Sequence, residues 1–203
     1  MVRFAMNRGY QTLAVVLLLL LAAFAASARP TFGKRGLVVS DSDLASQAGI
    51  RTLLAGGNAA DAAVTIAFVL AVTRPYYASL GGGGFMLVRF RKEILALDHR
   101  ERAPLRSTPG MFLKSKDPHA PINGGLAVAT PGTVFGLYAL HKRYGRLSWK
   151  RDIEPAVQLA AGGFMATEEF ARMINENRKR FSPAGQRYFS KHDRPHEVGD
   201  ILR

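Results

Sequence analysis

The chain has 203 residues, of which 48% are hydrophobic, and it contains no cysteine. This length and composition suit one globular domain with a sizeable core, and they exclude disulfide bonds and thiolate chemistry. The formal net charge is +13, but the lysines and arginines are scattered without an aromatic-interleaved stripe, so we expect a solvated basic surface and no nucleic-acid partner.

The first segment has the parts of a secretory signal peptide. Arg3 and Arg8 precede an unbroken apolar run over residues 13–26, and a small-x-small cleavage pattern follows it. We predict a signal peptide over residues 1–28 and a mature chain over residues 29–203, either periplasmic or secreted. The run is shorter than the roughly 20 residues that span a bilayer, so no stable membrane span is expected after cleavage. An uncleaved N-terminal anchor is the alternative.

Two helices are predicted after a short strand at Leu37–Ser40. Ser42 is placed to cap the first helix, and Gly56 is placed to end it, because glycine readily takes the left-handed conformation found past helix ends. Asn58 can cap a second helix over Ala59–Ala71, which is apolar nearly all round. Such a helix is expected to be buried.

Four consecutive glycines, residues 81–84, precede a predicted β-hairpin. Its strands are Phe85–Phe90 and Ile94–Asp98, and a charged stretch at 98–101 follows the second strand. Four glycines indicate either positive φ angles or close backbone contact. A phosphate-binding loop is disfavoured, because the Lys-Ser/Thr pair of that motif is absent and the next element is a strand.

The second half is predicted to be mostly helical. An irregular stretch over 103–123 leads to three helices, which begin near Gly132, Ser148 and Thr167. The third is expected to run to the basic residues at 178–180. Alternating strands and helices predict a mixed α/β (α+β) layered fold.

The residue types offer few chemical sites of their own. No Gly-x-Ser-x-Gly nucleophile elbow occurs, and the best histidine cluster, at His192, Asp193 and His196, is interpreted as a solvated tail. We therefore predict no metal site and no cofactor. Arg100 is flanked by acidic residues, and the sequence allows two interpretations of it. Arg100 either forms a structural ion pair with a neighbouring acid or binds a substrate carboxylate.

Several segments together, in this order, resemble the large subunit of the γ-glutamyltransferases (γ-glutamyltranspeptidases, also called glutathione hydrolases). The four most specific segments are Leu44–Gly49, Ala55–Ala63, Gly81–Met86 and Asp98–Pro104. The resemblance implies an N-terminal nucleophile hydrolase, of which residues 29–203 would be a partial large-subunit domain with an incomplete αββα sandwich.

The resemblance also implies an activity. In this family a precursor cleaves itself, and the new N-terminal threonine of the small subunit attacks the γ-glutamyl amide of glutathione or a related substrate. Arg100 matches the arginine that holds the substrate's α-carboxylate, and it is the one substrate-binding residue we predict. The alternatives are a cephalosporin-acylase-like enzyme of the same scaffold and a non-catalytic exported binding module.

Three stretches depart from the family pattern. His99 stands where phenylalanine or another residue is commoner, and Arg74 stands where an acid is frequent. Residues 77–80, with the sequence Tyr-Ala-Ser-Leu, replace the more typical serine-glycine-isoleucine lead into the glycines. No residue of the 203 matches the catalytic threonine, so we expect no catalytic residue in this chain. We also expect the chain to be an N-terminal piece, inactive and insoluble or molten alone, with the small subunit of the same precursor as its partner.

Overall fold

A computed structural model describes residues 31–189 and 194–202. The predicted signal peptide lies outside the described residues. The chain divides into two compact units, Met1–Leu37 and Val38–Arg203. The described part of the first unit contains no helix or strand, and every described helix and strand belongs to the second unit.

The two predicted N-terminal helices are confirmed. Helix α1 spans Asp43–Leu54 and helix α2 spans Ala59–Thr73. Gly56 has a φ of 91° just past the end of α1, as its predicted role requires. The Asn58 side chain accepts hydrogen bonds from the first turn of α2, while Asp61 accepts one from the Asn58 backbone, so the cap is reciprocal.

The segment Leu37–Ser40, predicted as a strand, forms no strand in the structure. No described segment pairs with it, and an apolar run becomes a strand only when a partner satisfies its backbone groups. Ser40 instead makes hydrogen bonds with the Ser42 carbonyl and the Ser46 hydroxyl. Ser42 does occupy the N-cap position of α1, but its side chain makes no capping hydrogen bond.

Helix α2 lies at the centre of the main core. Val64, Thr65 and Val69 have no exposed surface, and α2 packs against α1 and two later helices. The packing is close because small residues such as Ala45 and Ala48 face the contact. The prediction that this helix is buried is confirmed.

Strands β1 (Phe85–Phe90) and β2 (Glu93–Asp98) form the predicted antiparallel hairpin. The second strand begins one residue earlier than predicted. One face, which includes Met86 and Val88, packs against the core. The opposite face leaves Phe85, Leu87 and Ile94 largely exposed.

The remaining elements are mainly helical. They are α3 (Thr133–Tyr144), α4 (Trp149–Gly162), α5 (Glu168–Asn177) and α6 (Pro183–Phe189), with short 3-10 turns at Gly125–Ala127 and Arg178–Arg180. A second antiparallel sheet joins β3 (Phe164–Met165) to β4 (Ile201–Leu202). The third predicted helix therefore ends earlier than expected, and the predicted α+β class is confirmed.

Candidate functional site

The glycine loop, residues 81–84, lies between the hairpin and the start of α3. Gly84 and His99 exchange two backbone hydrogen bonds, of 3.3 and 3.0 Å, and so extend the hairpin by one pair. The Gly82 carbonyl accepts hydrogen bonds from the backbone N–H groups of Gly132 and Thr133 at 2.9 and 3.0 Å. The loop therefore attaches the first turn of α3 to the end of the hairpin.

Close contact, rather than a left-handed backbone, explains the glycines. The described glycines with positive φ do not include residues 81–84. A Cβ atom on Gly83 would lie 2.6 Å from the His99 oxygen and 2.7 Å from the Glu101 nitrogen. A Cβ atom on Gly132 would overlap the His99 carbonyl. Glycine at these positions lets three backbone segments meet where Arg100 lies.

Arg100 follows the hairpin directly, and its side chain is 59% exposed. Its backbone N–H donates to Asp98 Oδ1 at 2.9 Å, and its Nε lies 3.3 Å from Glu101 Oε2. Its guanidinium carbon is 6.0 Å from the centre of the Phe85 ring. The ion pair suggested by the sequence is therefore present, yet the two terminal nitrogens, Nη1 and Nη2, make no hydrogen bond within the described residues.

A cavity of about 270 Å³ opens beside Arg100. Its walls come from the hairpin end, the start of α3 and the isolated bridge between Arg102 and Thr130. The lining residues are Asp98, His99, Arg100, Arg102, Thr130, Pro131, Gly132 and Phe135. Two arginines and an apolar wall suit a small anionic ligand with an aliphatic part.

A second polar cluster, formed by Asp61, His141 and Asp152, is buried among α2, α3 and α4. Both carboxyl groups are inaccessible to solvent. His141 Nε2 lies 3.4 Å from Asp152 Oδ2 and 2.9 Å from the Leu147 carbonyl oxygen. Burial, and after it the nearby Asp61 carboxylate, raise the pKa of Asp152 to about 6, against the opposing effect of His141.

This cluster could hold a metal ion by composition, because one ligand atom from each residue lies within 4.8 Å of the others. The backbone hydrogen bonds of Asp61 and His141 favour a structural role instead. Asp61 already accepts from the backbone N–H groups of Asn58, Arg146 and Leu147, and His141 Nε2 is within hydrogen-bond distance of a carbonyl oxygen. We therefore assign the cluster to the packing of the three helices.

Sequence reasoning missed this cluster, because its members are far apart in the chain and only folding brings them together. It also misjudged His196, which was interpreted as part of a solvated tail. His196 is 6% exposed, because β4 pairs with β3 and returns the segment to α5, where Asn175 bonds the His196 backbone. The other members of that predicted cluster, His192 and Asp193, lie outside the described residues.

Comparison with known proteins agrees with the motifs. A family model described as gamma-glutamyltranspeptidase matches residues 45–203. The glutathione hydrolase proenzyme of Bacillus subtilis (strain 168) is 39% identical over 177 residues, which cover 84% of this chain and 30% of that protein. The chain thus spans about a third of the length of this curated relative.

Solved structures give the same result. The gamma-glutamyltranspeptidase of Helicobacter pylori is 39% identical, with a TM-score of 0.82 over 86% of this chain and 52% of that one. The cephalosporin acylase of Bacillus halodurans is 28% identical, with a TM-score of 0.73 over 87% of this chain and 36% of that one. The predicted fold, part of an N-terminal nucleophile hydrolase, is confirmed.

Proposed function

This chain belongs to the gamma-glutamyltranspeptidase family, and we propose that it supplies the α-carboxylate-binding part of an enzyme that cleaves γ-glutamyl amides such as glutathione. The observation that carries the proposal is the position of Arg100. Arg100 lines a cavity of about 270 Å³, and its two terminal nitrogens make no hydrogen bond within the described residues. A planar guanidinium with two such nitrogens matches a carboxylate in a bidentate pair.

The neighbours of Arg100 orient its side chain for this task. Glu101 holds the Nε side of the guanidinium, and the Phe85 ring lies near the guanidinium carbon. Asp98 fixes the backbone through the Arg100 N–H. Glu101 Oε2 forms an ion pair with the Nε edge and makes no hydrogen bond among the described residues, and the edge with the two terminal nitrogens is left for an incoming carboxylate.

In the proposed reaction, Arg100 positions the substrate while a threonine outside these 203 residues performs the chemistry. The threonine hydroxyl attacks the γ-glutamyl carbonyl, its own amine accepts the hydroxyl proton, and that proton passes to the leaving amine. Water or an amino acid then attacks the acyl-enzyme, which releases glutamate or the transfer product and restores the hydroxyl. Holding the α-carboxylate sets the reacting carbonyl against the nucleophile.

The exposed face of the hairpin supports a small-subunit partner. Phe85, Leu87 and Ile94 are 72%, 80% and 67% exposed, and they form one apolar face. Exposed apolar patches of this kind mark interaction surfaces. Because Phe85 also lies near Arg100, a partner that covers this face would reach the proposed carboxylate site. The B. subtilis relative is named a proenzyme, in agreement with a partner from the same precursor.

An acylase of the same scaffold is the competing function, since the B. halodurans structure is similar over most of this chain. The two functions differ at the α-carboxylate, which a γ-glutamyl substrate must present. An arginine at the cavity favours the γ-glutamyl substrate, because its guanidinium can pair with an α-carboxylate and gains no such pairing from an uncharged acyl chain.

The test compares two chromogenic anilides in the full-length protein that carries this chain. One is a γ-glutamyl anilide, and the other is the 4-aminobutyryl anilide, which lacks the α-carboxylate. Arg100→Ala should raise KM for the first by about 10- to 100-fold, the loss of one charge-assisted carboxylate contact, and leave kcat/KM for the second unchanged. Arg106→Ala, an exposed arginine outside the cavity lining, is the matched control. An equal loss on both anilides would contradict the assignment.

A further inference from the structure

We propose that Gly136, in the first turn of α3, is a positioning residue for Arg100, because the missing side chain lets the His99 ring lie directly against the helix. The inference rests on the proposed function, since it takes Arg100 as the carboxylate-binding group. It adds a residue that does not line the cavity beside Arg100 and that the motif around Arg100 does not contain.

The contact between Gly136 and His99 is closer than any side chain would permit. A Cβ atom on Gly136 would overlap the His99 Cγ atom and lie 2.6 Å from its Cβ and 2.7 Å from its Cδ2. These atoms belong to the rigid base of the ring and not to the end of a flexible chain, so the strain could not be relieved by a rotamer change alone. A methyl group at residue 136 would therefore push the His99 Cα–Cβ bond away from α3.

The His99 ring is buried and enclosed by its neighbours. It is 9% exposed, and a Cβ atom on Gly84 would lie 3.2 Å from its Cε1, so the glycine loop closes on the other side of the ring. Its Nδ1 is buried without a hydrogen-bond partner among the described residues. Packing rather than polar bonding therefore holds the imidazole in this slot.

The backbone on either side of His99 is held as firmly as its ring. The His99 N–H and carbonyl both bond Gly84, and a Cβ atom on Gly132 would overlap the same carbonyl and lie 2.9 Å from the Arg100 oxygen. The peptide that joins residues 99 and 100 thus lies between the glycine loop and the first turn of α3. Because residues 99 and 100 share this peptide, a displacement of the His99 Cα also displaces the backbone that carries the Arg100 side chain.

This geometry makes Arg100 sensitive to the size of residue 136. Ordinary carbon contacts lie beyond 3.4 Å, so a Cβ at 2.6 Å requires a shift on the order of 1 Å. A misplacement of that size at a substrate-positioning group can cost about 10²-fold in rate. Because Arg100 is proposed to act in binding, the loss should fall on KM for substrates that carry the α-carboxylate.

The experiment is a double-variant cycle in the full-length protein that carries this chain. Gly136→Ala should raise KM for the γ-glutamyl anilide at least tenfold and change kcat for this substrate less than threefold. The kcat/KM for the 4-aminobutyryl anilide should also change less than threefold. His99→Gly removes all three atoms that the new methyl group would meet. In the His99→Gly background, Gly136→Ala should therefore leave KM unchanged. Gly162→Ala in α4, where a Cβ meets nothing within 4 Å, is the control for an added helical methyl group.

Each outcome decides the matter. A wild-type KM for Gly136→Ala, or an equal loss in both His99 backgrounds, would overturn the positioning role. If Gly136→Ala alone fails to fold, the double variant decides. A double variant that folds and has the KM of His99→Gly supports the contact, and a double variant that stays unfolded refutes it. A different result would contradict the proposed function itself: a wild-type protein whose kcat/KM is no higher for the γ-glutamyl anilide than for the 4-aminobutyryl anilide.

Discussion

Single residues carry the chemistry of this molecule, and Asp152 shows how strongly burial changes it. Its carboxyl group is fully buried in the first turn of α4, beside Asp61 and His141. The folded-state pKa is about 6, above the ordinary value of 3.8. A raised carboxyl pKa contributes stability that is fully present below pH 3.8 and is lost as the pH rises through about 6.

We therefore expect Asp152→Asn to stabilise the protein at pH 8 relative to the wild type, and to have little effect at pH 4. An amide stays uncharged at pH 8, so it avoids the ionisation penalty, which is at most about 3 kcal/mol for a shift of this size. Apparent melting temperatures of the full-length protein at both pH values measure the effect. Asp43→Asn, an exposed first-turn acid in α1, is the control. The same gain at both pH values would show that the gain does not come from ionisation.

The same residues show which parts of the site the sequence can predict. Arg100 could be proposed from the sequence because it lies in a contiguous motif, Asp98–Pro104, whose order with other segments is specific. The cluster of Asp61, His141 and Asp152 was missed, since it is assembled from three helices. The contact of His99 with Gly136 was missed for a similar reason, because 37 positions separate the two residues.

Secondary-structure elements were predictable where their signals are local. Helix α2 begins after Asn58 and ends before Pro75, because a capping side chain and a proline act within a few residues. Leu37–Ser40 was predicted as a strand and is not one, since a strand depends on a partner that local sequence cannot specify. The early end of α5 at Asn177, with a 3-10 turn after it, also carried no local stop signal that we recognised.

The hairpin leads to a prediction at the level of elements. Its outer face, formed by Phe85, Leu87 and Ile94 among others, alternates with a face that packs on the core. Leu87→Glu should therefore leave the hairpin folded and weaken the binding of any partner that buries this face, because an unpaired buried charge is strongly unfavourable. We expect at least a tenfold lower yield of small subunit co-purified with the tagged large subunit.

The matched control is Lys92→Glu, an exposed charge reversal in the turn of the same hairpin. It should leave co-purification unchanged, since the turn lies at the other end of the hairpin from Phe85. Expressed without a partner, the 203-residue chain should be insoluble or molten, and Leu87→Glu should raise its soluble fraction. A cooperative melt of the unmodified 203-residue chain at micromolar concentration would contradict this account of the exposed face.

At the scale of the whole molecule, the absence of cysteine means that packing must supply the stability of this chain. Within the described residues, the main apolar packing is the core among α1, α2, α3 and α4. No helix in the described part of the chain is long and apolar enough to cross a membrane.

We propose that residues 1–28 are removed during export, so that the mature chain starts at Arg29. The apolar run over residues 13–26 is long enough for a signal peptide and short for a bilayer span. Expression in a bacterium with a periplasm, followed by fractionation and intact mass measurement, should find the protein in the periplasm or medium with residues 1–28 missing. Replacing Leu17 and Leu18 with arginine should block export, because charges in the apolar region oppose its insertion. Full-length protein held in the membrane fraction would instead identify the segment as an uncleaved anchor.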